Sequence, residues 1–152
     1  MCLICERIEM IKRGKNSFFV KELETGFVVL GDYQCFKGYT LFLCKEHVTE
    51  LHQLPRAFKV KYLEEMSIVA EACQKAFDAD KMNIELLGNG DAHVHFHIFP
   101  RKKGDTPIPG PVWWVSKDEM FNDKVKPTKE ELERLKKLLR IQLSNLLNNY
   151  HS

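Results

Sequence analysis

The alternation of hydrophobic and polar residues along the chain predicts five strands and two long helices. Stretches rich in β-branched and aromatic residues predict strands at residues 17–23, 26–32, 39–44, 82–88 and 92–100. From Pro55 to Asp78 apolar residues recur every three or four positions, which is the spacing of an amphipathic helix. A leucine stripe after Thr128, a predicted N-cap with Glu131 three residues on, predicts the second helix. This order of elements indicates an α+β domain built on an antiparallel meander.

Length and composition indicate a single domain. The 152 residues suffice for one core, with a strand-rich core at 1–101, a loop or arm at 102–126 and the final helix at 127–150. Lys and Arg number 23 against 21 Asp and Glu, and a net charge of +2 disfavours a partner that is a nucleic-acid polymer. No apolar run approaches the roughly 18 residues of a membrane span, and the first residues lack a signal-peptide pattern. We therefore expect no membrane association and a cytoplasmic location.

The last predicted strand carries an unusual row of side chains. In the stretch Ala92-His-Val-His-Phe-His-Ile-Phe-Pro100, three of the six histidines in the chain alternate with apolar residues. Successive side chains of a strand point to opposite faces, so His93, His95 and His97 share one face, about 7 Å apart. We call this the histidine face. Imidazole serves proton transfer, nucleophilic attack and metal binding near neutral pH, and the alternative is a merely polar face.

The same residues resemble the signature of the histidine-triad family, in which three histidines alternate with apolar residues on a strand. The resemblance extends upstream to Cys2-Leu-Ile-Cys5 and to Lys45-Glu-His-Val48, and it covers residues 1–101, about two-thirds of the chain. It implies a histidine-triad fold and a nucleotide hydrolase or transferase that acts at the α-phosphate. It also implies a homodimer whose two sheets join edge to edge.

The resemblance assigns roles to two of the histidines. It makes His95 the nucleophile, and a neutral imidazole nitrogen can attack phosphorus to form a covalent nucleotidyl-imidazole. His97 would donate a hydrogen bond to the α-phosphate, where positioned donors stabilise the developing charge. These two residues are the predicted catalytic pair.

Two further residues are candidates for binding the substrate. Asn89 resembles the family's polar residue that contacts bridging or leaving-group oxygens, although asparagine beside glycine is also an ordinary turn residue. Asp32 lies near the family's position for contact with the ribose hydroxyls. Its surroundings depart from the family pattern, because Lys37 replaces the usual proline and Tyr39 the usual histidine. Asp32 is also one position out of register, and an ordinary polar strand end is the alternative.

The cysteines suggest a metal site. The spacing of Cys2 and Cys5 lets two thiolates bind one tetrahedral ion, which is half of a site. His47 and His93 are available as further ligands. Zinc-containing relatives, including the galactose-1-phosphate uridylyltransferase branch, use such a set, so the resemblance implies structural zinc. The alternative is a pair of free cysteines near a fraying terminus. The residues predicted to lie elsewhere, without a role in the site, are Cys35, Cys44, Cys73, His52 and His151.

The leading interpretation is an enzyme that hydrolyses a nucleoside phosphate anhydride, with a diadenosine polyphosphate as substrate. A phosphoramidase or nucleotidylyltransferase would use the same intermediate on His95. Two other classes remain open: a non-catalytic nucleotide-binding protein, and a metalloenzyme whose catalytic metal is held by the strand histidines. Trp113 and Trp114 could stack on a base or be buried against a neighbouring subunit.

Overall fold

A computed structural model describes residues 2–150, so the predicted flank position of His151 lies outside the described residues. The strands are β1 (Phe19–Glu22), β2 (Gly26–Leu30), β3 (Thr40–Cys44), β4 (Lys81–Glu85) and β5 (His95–Arg101). The helices are α1 (Leu3–Lys12), α2 (Arg56–Phe77), α3 (Lys117–Met120) and α4 (Lys129–Tyr150). The strands form one antiparallel sheet in the order β1-β2-β3-β5-β4, which confirms the α+β prediction.

The position of β5 in the sheet departs from sequence order. After β3 the chain crosses through α2 to the sheet edge, forms β4 there, and returns so that β5 lies between β3 and β4. Both neighbours are antiparallel to β5, with Leu43 opposite His95 on one side and Glu85 opposite His97 on the other. A strand with hydrogen-bonded neighbours on both sides has little freedom to shift its register. His95 and His97 therefore lie on a strand that is held on both sides.

The face of β5 opposite the histidines contributes to the main hydrophobic core. Val94, Phe96 and Ile98 pack with α2 and α4, as the alternation predicted. Tyr62 of α2 is fully buried, and its hydroxyl donates to the carbonyl of Phe42 in β3 at 2.9 Å. This bond satisfies a buried polar group and attaches α2 to the sheet.

The histidine face is covered by α1, which the sequence reading did not predict. Ile4 and Ile8, one turn apart on α1, pack against Phe27, Val29 and Leu43 of the sheet in a second core. Among the described residues, α1 begins directly after Cys2. Cys2 is the N-cap of α1, and its Sγ accepts from the backbone N–H of Cys5 at 3.2 Å. A ten-residue helix carries too short an apolar stripe to be distinguished by pattern alone.

The arm after β5 is attached to the sheet by one arginine. Arg101 is 7% exposed, and its guanidinium donates to both carboxylate oxygens of Asp105 at 2.8 and 2.9 Å. It also donates to the Gly110 carbonyl at 2.7 Å and to Asn83 Oδ1 at 2.9 Å, and it lies over the ring of Phe36. Farther along, the arm contains α3 and two 3-10 turns, the first at Val112–Trp114. Arg101 therefore determines where the arm crosses the histidine face.

The β1–β2 hairpin is anchored to α2 by a buried carboxylate. Glu65 is 4% exposed and accepts from the backbone N–H groups of Glu24 at 3.1 Å and Thr25 at 2.8 Å. The Thr25 hydroxyl donates to the same carboxylate at 2.5 Å.

Within residues 2–150, none of the helices has the length and apolar character needed to cross a bilayer.

Replacing Glu65 with alanine is expected to lower the free energy of unfolding by about 3 kcal/mol, because buried backbone donors lose their acceptor. Glu71→Ala is the matched control on the same helix, since Glu71 is exposed and its ion pair within residues 2–150 is with the exposed Lys75. That control is expected to cost less than about 0.5 kcal/mol. Urea denaturation of both variants measures the difference. Equal losses would show that Glu65 does not anchor the hairpin.

Candidate active site

The hydrogen bonds of His95 determine which of its nitrogens is free. His95 is 6% exposed, and its Nδ1 lies 2.7 Å from the backbone carbonyl oxygen of His93. A carbonyl oxygen can only accept, so Nδ1 carries the proton and Nε2 holds the lone pair. His95 therefore offers a nucleophilic nitrogen away from the strand.

His97 has the opposite arrangement. Its Nδ1 lies 2.6 Å from the hydroxyl of Tyr39, and burial raises the pKa of that phenol far above neutrality. Within residues 2–150 the hydroxyl has no other hydrogen-bond partner, so it donates to Nδ1. His97 Nε2 then carries the proton. Burial and the neighbouring His95 lower the pKa of His97 to about 4, so the ring is neutral at pH 7. The two histidines thus present a lone pair and an N–H donor, with ring centroids 4.8 Å apart.

A small cavity of about 270 Å³ opens beside His95. Its walls are largely apolar and come from α1, β2, β3 and the end of α3. Its polar lining residues include Arg7, Asp32, Asp91 and His95. An apolar cavity with a few convergent polar groups and a nucleophile at one end is the usual form of a small-molecule site.

A larger cavity of about 990 Å³ lies between the β4 edge and the arm. Its lining residues come from 80–85 and 101–111 and include no histidine. Because the groups capable of nucleophilic chemistry line the small cavity, we place the candidate active site there despite its smaller volume.

The two predicted substrate-binding residues lie in different surroundings. Asp32 lines the small cavity, where its carboxylate accepts from Arg7 Nη2 at 2.7 Å and Nη1 at 3.1 Å. Asn89 is exposed in the segment between β4 and β5 and lines neither cavity. The structure therefore brings Asp32 and His95 to one cavity and leaves Asn89 outside it.

Two side chains, one from the arm and one from β4, flank His97. Trp113 of the arm approaches His97 edge-on, with ring centroids 6.2 Å apart, and its Nε1 donates to Glu85 Oε2 at 2.6 Å. Glu85 is the β4 partner of His97 in the sheet, and its buried Oε1 has no partner within the described chain. Trp114, the other candidate for stacking, is 68% exposed. Only the register of β4 on β5 reveals the position of Glu85.

The four predicted metal ligands converge, with all ligand atoms within 4.8 Å of one another. His93 Nδ1 lies 3.4 Å from Cys2 Sγ, 3.5 Å from Cys5 Sγ and 3.1 Å from His47 Nδ1. Cys5 Sγ lies 3.3 Å from His47 Nδ1. Tetrahedral zinc with ordinary bond lengths has ligand separations of about 3.3 to 3.8 Å. The donor set and its spacing fit one such ion.

Surrounding groups orient these ligands. His93 Nε2 donates to the carbonyl of Cys44 at 2.7 Å, which leaves the Nδ1 lone pair directed at the cluster. Asp91 accepts from the backbone N–H groups of Ile4 at 3.0 Å and His93 at 3.1 Å, and so joins α1 to the start of β5. Burial opposes ionisation of Asp91, but these N–H bonds lower its pKa overall.

Comparison with known proteins identifies relatives of the chain. The family model described as HIT domain matches residues 12–104. The adenosine 5'-monophosphoramidase HNT1 of Saccharomyces cerevisiae is 28% identical over 140 residues, which are 88% of this chain and 82% of that protein.

Solved structures give the same result. A histidine triad protein from Marinobacter aquaeolei has a TM-score of 0.73 at 27% identity, covering 84% of this chain and 89% of its own. A Zn-bound histidine triad family protein from Mycobacterium smegmatis has a TM-score of 0.68, covering 97% of this chain and 96% of its own. At 23% identity the second likeness shows the fold alone.

The low pKa of His97 predicts a pH dependence of stability. A histidine takes up a proton near pH 6.5 in the unfolded chain but only near pH 4 in the folded one, so the folded state loses stability as pH falls through this window. His97→Gln removes this loss. We expect the variant to gain about 2 kcal/mol relative to wild type between pH 7 and pH 5, as measured by urea denaturation. His52→Gln, at an exposed histidine, is the control. Parallel curves for wild type and His97→Gln would contradict the burial argument.

Proposed function

The chain belongs to the HIT domain family, and from that premise we propose that it is a nucleotide hydrolase or transferase whose nucleophile is His95. The observation that carries the proposal is the 2.7 Å contact between His95 Nδ1 and the His93 carbonyl oxygen. This contact leaves Nε2 unprotonated at the end of an apolar cavity. An imidazole held in that way can attack a phosphorus atom without first losing a proton.

The proposed reaction has two displacements at the α-phosphorus. His95 Nε2 forms a bond to phosphorus while the bond to the leaving group breaks, which gives a nucleotidyl-His95 intermediate. Positive charge then develops on the imidazole, and the Nδ1–H bond to the His93 carbonyl stabilises it. In the second step water attacks phosphorus and loses a proton to solvent while the phosphorus–nitrogen bond breaks, which releases the nucleotide and returns His95 to its neutral form.

His97 supplies the electrostatic part of the proposed mechanism. Tyr39 leaves the proton on His97 Nε2, so this neutral donor can bind a non-bridging oxygen of the α-phosphate. Fixed donors that face the developing charge are the main source of catalysis in phosphoryl-type transfer. Because the pKa of His97 is about 4, the donor keeps one protonation state across the neutral range.

Two substrate classes fit this site. Cleavage of a nucleoside phosphate anhydride, with a diadenosine polyphosphate as the first candidate, is what the resemblance to the histidine-triad family implies. A nucleoside phosphoramidate is the second candidate, and the similarity to the yeast adenosine 5'-monophosphoramidase favours it. Asp32 would accept hydrogen bonds from the ribose. Asn89, which is exposed, keeps its predicted role with leaving-group oxygens only if the substrate extends out of the cavity.

The Cys2, Cys5, His47 and His93 cluster is proposed to hold structural zinc. Four protein donors complete a tetrahedral shell, which leaves no position for a reacting water. Cys2 and Cys5 lie at the start of α1, His47 lies in the loop after β3, and His93 lies two residues before His95. Zinc would supply a fixed link among these segments, and His95 remains outside the ligand set.

Assembly and location stay predictions. A homodimer joined through the sheet edge would use β4, which is an edge strand and is followed by the exposed side chains of Leu86 and Leu87. A cytoplasmic location, with no nucleic-acid polymer and no membrane as partner, is the expectation from charge and composition.

The covalent step can be tested by intact-protein mass spectrometry. Brief mixing with diadenosine tetraphosphate, and separately with an adenosine phosphoramidate, is expected to add the mass of one adenylate. His95→Gly should remove both the adduct and turnover, with a fall in kcat of at least about 1,000-fold, because the nucleophile is lost. The faster substrate decides between anhydride and phosphoramidate cleavage.

The matched control for this experiment is His52→Gly, at an exposed histidine outside the histidine face. It should form the adduct as wild type does. Turnover that persists in His95→Gly would show that another group is the nucleophile. If neither compound reacts with wild type, the binding-protein or uridylyltransferase interpretation replaces this one.

Cys5→Ser is expected to lower zinc from about one ion per chain to a small fraction and to lower Tm by several degrees, since the ligand set is incomplete. The rate per folded molecule should fall much less, because His95 is not a ligand. Elemental analysis and thermal unfolding measure these effects. Cys35→Ser, a partly buried thiol outside the cluster, is the control. Equal zinc contents in the two variants would contradict the proposed site.

A further inference from the structure

A carboxylate lies beside the candidate donor His97, on the side of the β4 edge. Glu85 is the last residue of β4 and the cross-strand partner of His97. Trp113 of the arm donates its indole N–H to Glu85 Oε2 at 2.6 Å, and the same indole lies edge-on to His97. The carboxylate is therefore held next to His97 by a strand on one side and by the arm on the other.

The second oxygen of this carboxylate is an unsatisfied acceptor. Glu85 Oε1 is buried, and within residues 2–150 no hydrogen-bond donor reaches it. None of the ion pairs in this part of the chain includes Glu85. A buried acceptor without a partner is uncommon in folded proteins, and one reason for it is a functional role. Glu85 thus places an unpaired negative charge at the histidine face.

The charge of Glu85 acts on the groups around His97. Burial is the largest cause of the raised pKa of the Tyr39 hydroxyl, and the negative charges of Asp32 and Glu85 add to it. His97, which accepts from that hydroxyl, is neutral at pH 7 because its pKa is about 4. The side chains between Glu85 and the reacting phosphorus therefore carry no positive charge that would cancel it.

The cations that line the larger cavity, on the other side of Glu85, are paired or exposed. Arg101 is buried, but it pairs with Asp105 and so adds little net charge. The other cations of that cavity are exposed to water, which screens their charge: Lys81, Lys102 and Lys103. The charge of Glu85 is screened less, since one of its oxygens is shielded from water.

The leaving group of the proposed reaction faces this side of the site. The nucleoside would occupy the small cavity, which at about 270 Å³ is smaller than most ligand pockets. Its walls include no residue of β4. A leaving group bonded to the same phosphorus does not fit beside the nucleoside, so it points to the other side of the histidine face, where β4 and the arm hold Glu85.

The two candidate substrate classes differ in the charge of this leaving group. An anhydride releases a phosphate or nucleotide, which carries negative charge on its oxygens. In a phosphoramidate, His95 Nε2 forms its bond to phosphorus while the phosphorus–nitrogen bond breaks. The leaving nitrogen keeps the electron pair of that bond, takes a proton from solvent and departs as an amine, which binds a further proton near neutral pH. A carboxylate opposes the anionic leaving group and stabilises the cationic one.

We propose that Glu85 is a specificity-determining residue that selects leaving groups with positive charge over leaving groups with negative charge. The inference rests on the proposed nucleotidyl transfer to His95, and it makes an amine the preferred leaving group of that reaction. Trp113 supports the selection by holding the carboxylate in place beside His97.

The test compares two adenosine phosphoramidates whose leaving amines have the same length and opposite charge. One is formed with ethylenediamine, which ends in an ammonium, and the other with β-alanine, which ends in a carboxylate. In Glu85→Gln, kcat/KM should fall about threefold for the first and rise about threefold for the second, so their ratio falls about tenfold. The intrinsic reactivities of the two phosphorus–nitrogen bonds are the same for every variant, so the change in the ratio reports the charge of Glu85.

The matched control is Glu130→Gln, at an exposed carboxylate in the first turn of α4. Its ratio should equal that of wild type. A purely structural role of Glu85 would lower both rates by the same factor in Glu85→Gln. That result, or an unchanged ratio, overturns the proposal.

A second variant covers the case in which Glu85→Gln does not fold. Trp113→Phe removes the N–H that binds Glu85 Oε2 but keeps an aromatic ring beside His97. The ratio should then fall about threefold, because the carboxylate loses its fixed position. A ratio equal to that of wild type would overturn the proposal.

Binding separates this inference from the proposed chemistry. In His95→Gly, calorimetry gives Kd for both compounds without turnover, and adding Glu85→Gln should lower the preference for the ethylenediamine compound about tenfold. If wild type cleaves neither compound but this preference falls, the proposed function fails and the charge selection holds. If wild type cleaves both compounds and Glu85→Gln changes neither ratio, the charge selection fails and the proposed function holds.

Discussion

The pairing of β5 between β3 and β4 is the constraint on which the rest of the site depends. Side chains two residues apart on this strand must share a face, and hydrogen bonds on both sides prevent a shift in register. The strand therefore provides the candidate nucleophile and the candidate donor, and the residue two before it, His93, belongs to the candidate metal cluster. The backbone itself takes part, because the carbonyl of His93 sets the tautomer of His95.

Helix α1 connects the two ends of the histidine face. Its first turn carries Cys2 and Cys5 of the cluster, Asp91 accepts from its backbone, and Arg7 contacts Asp32 one turn farther on. The hydrophobic contacts of Ile4 and Ile8 hold the helix against the sheet. Helix α1 thus forms a wall of the small cavity and also supports the cluster. The contacts at the cluster therefore determine the position of that wall.

Local sequence pattern predicts the strands, both long helices and the face of the histidines, because period and alternation are properties of neighbouring residues. Local pattern does not predict which side chains contact the site residues. Tyr39 contacts His97 because β3 pairs with β5 in one register. Glu85 lies beside His97 because β4 pairs with β5 on the other side. Resemblance directed attention to Asp32 but gave no sign of Arg7. Asn89 fits a family position in sequence, yet the segment that carries it leaves the cavity.

Because α1 contributes to both the cluster and the small cavity, binding of the proposed ion and of the proposed nucleotide would be thermodynamically linked. An ion in the cluster would fix the first turn of α1, and a fixed α1 would hold that wall of the small cavity in place. Such a coupling free energy is reciprocal: whatever tightening the ion gives to the nucleotide, the nucleotide must give to the ion. In a cell that limits free zinc, abundant nucleotide would help this protein to keep its metal.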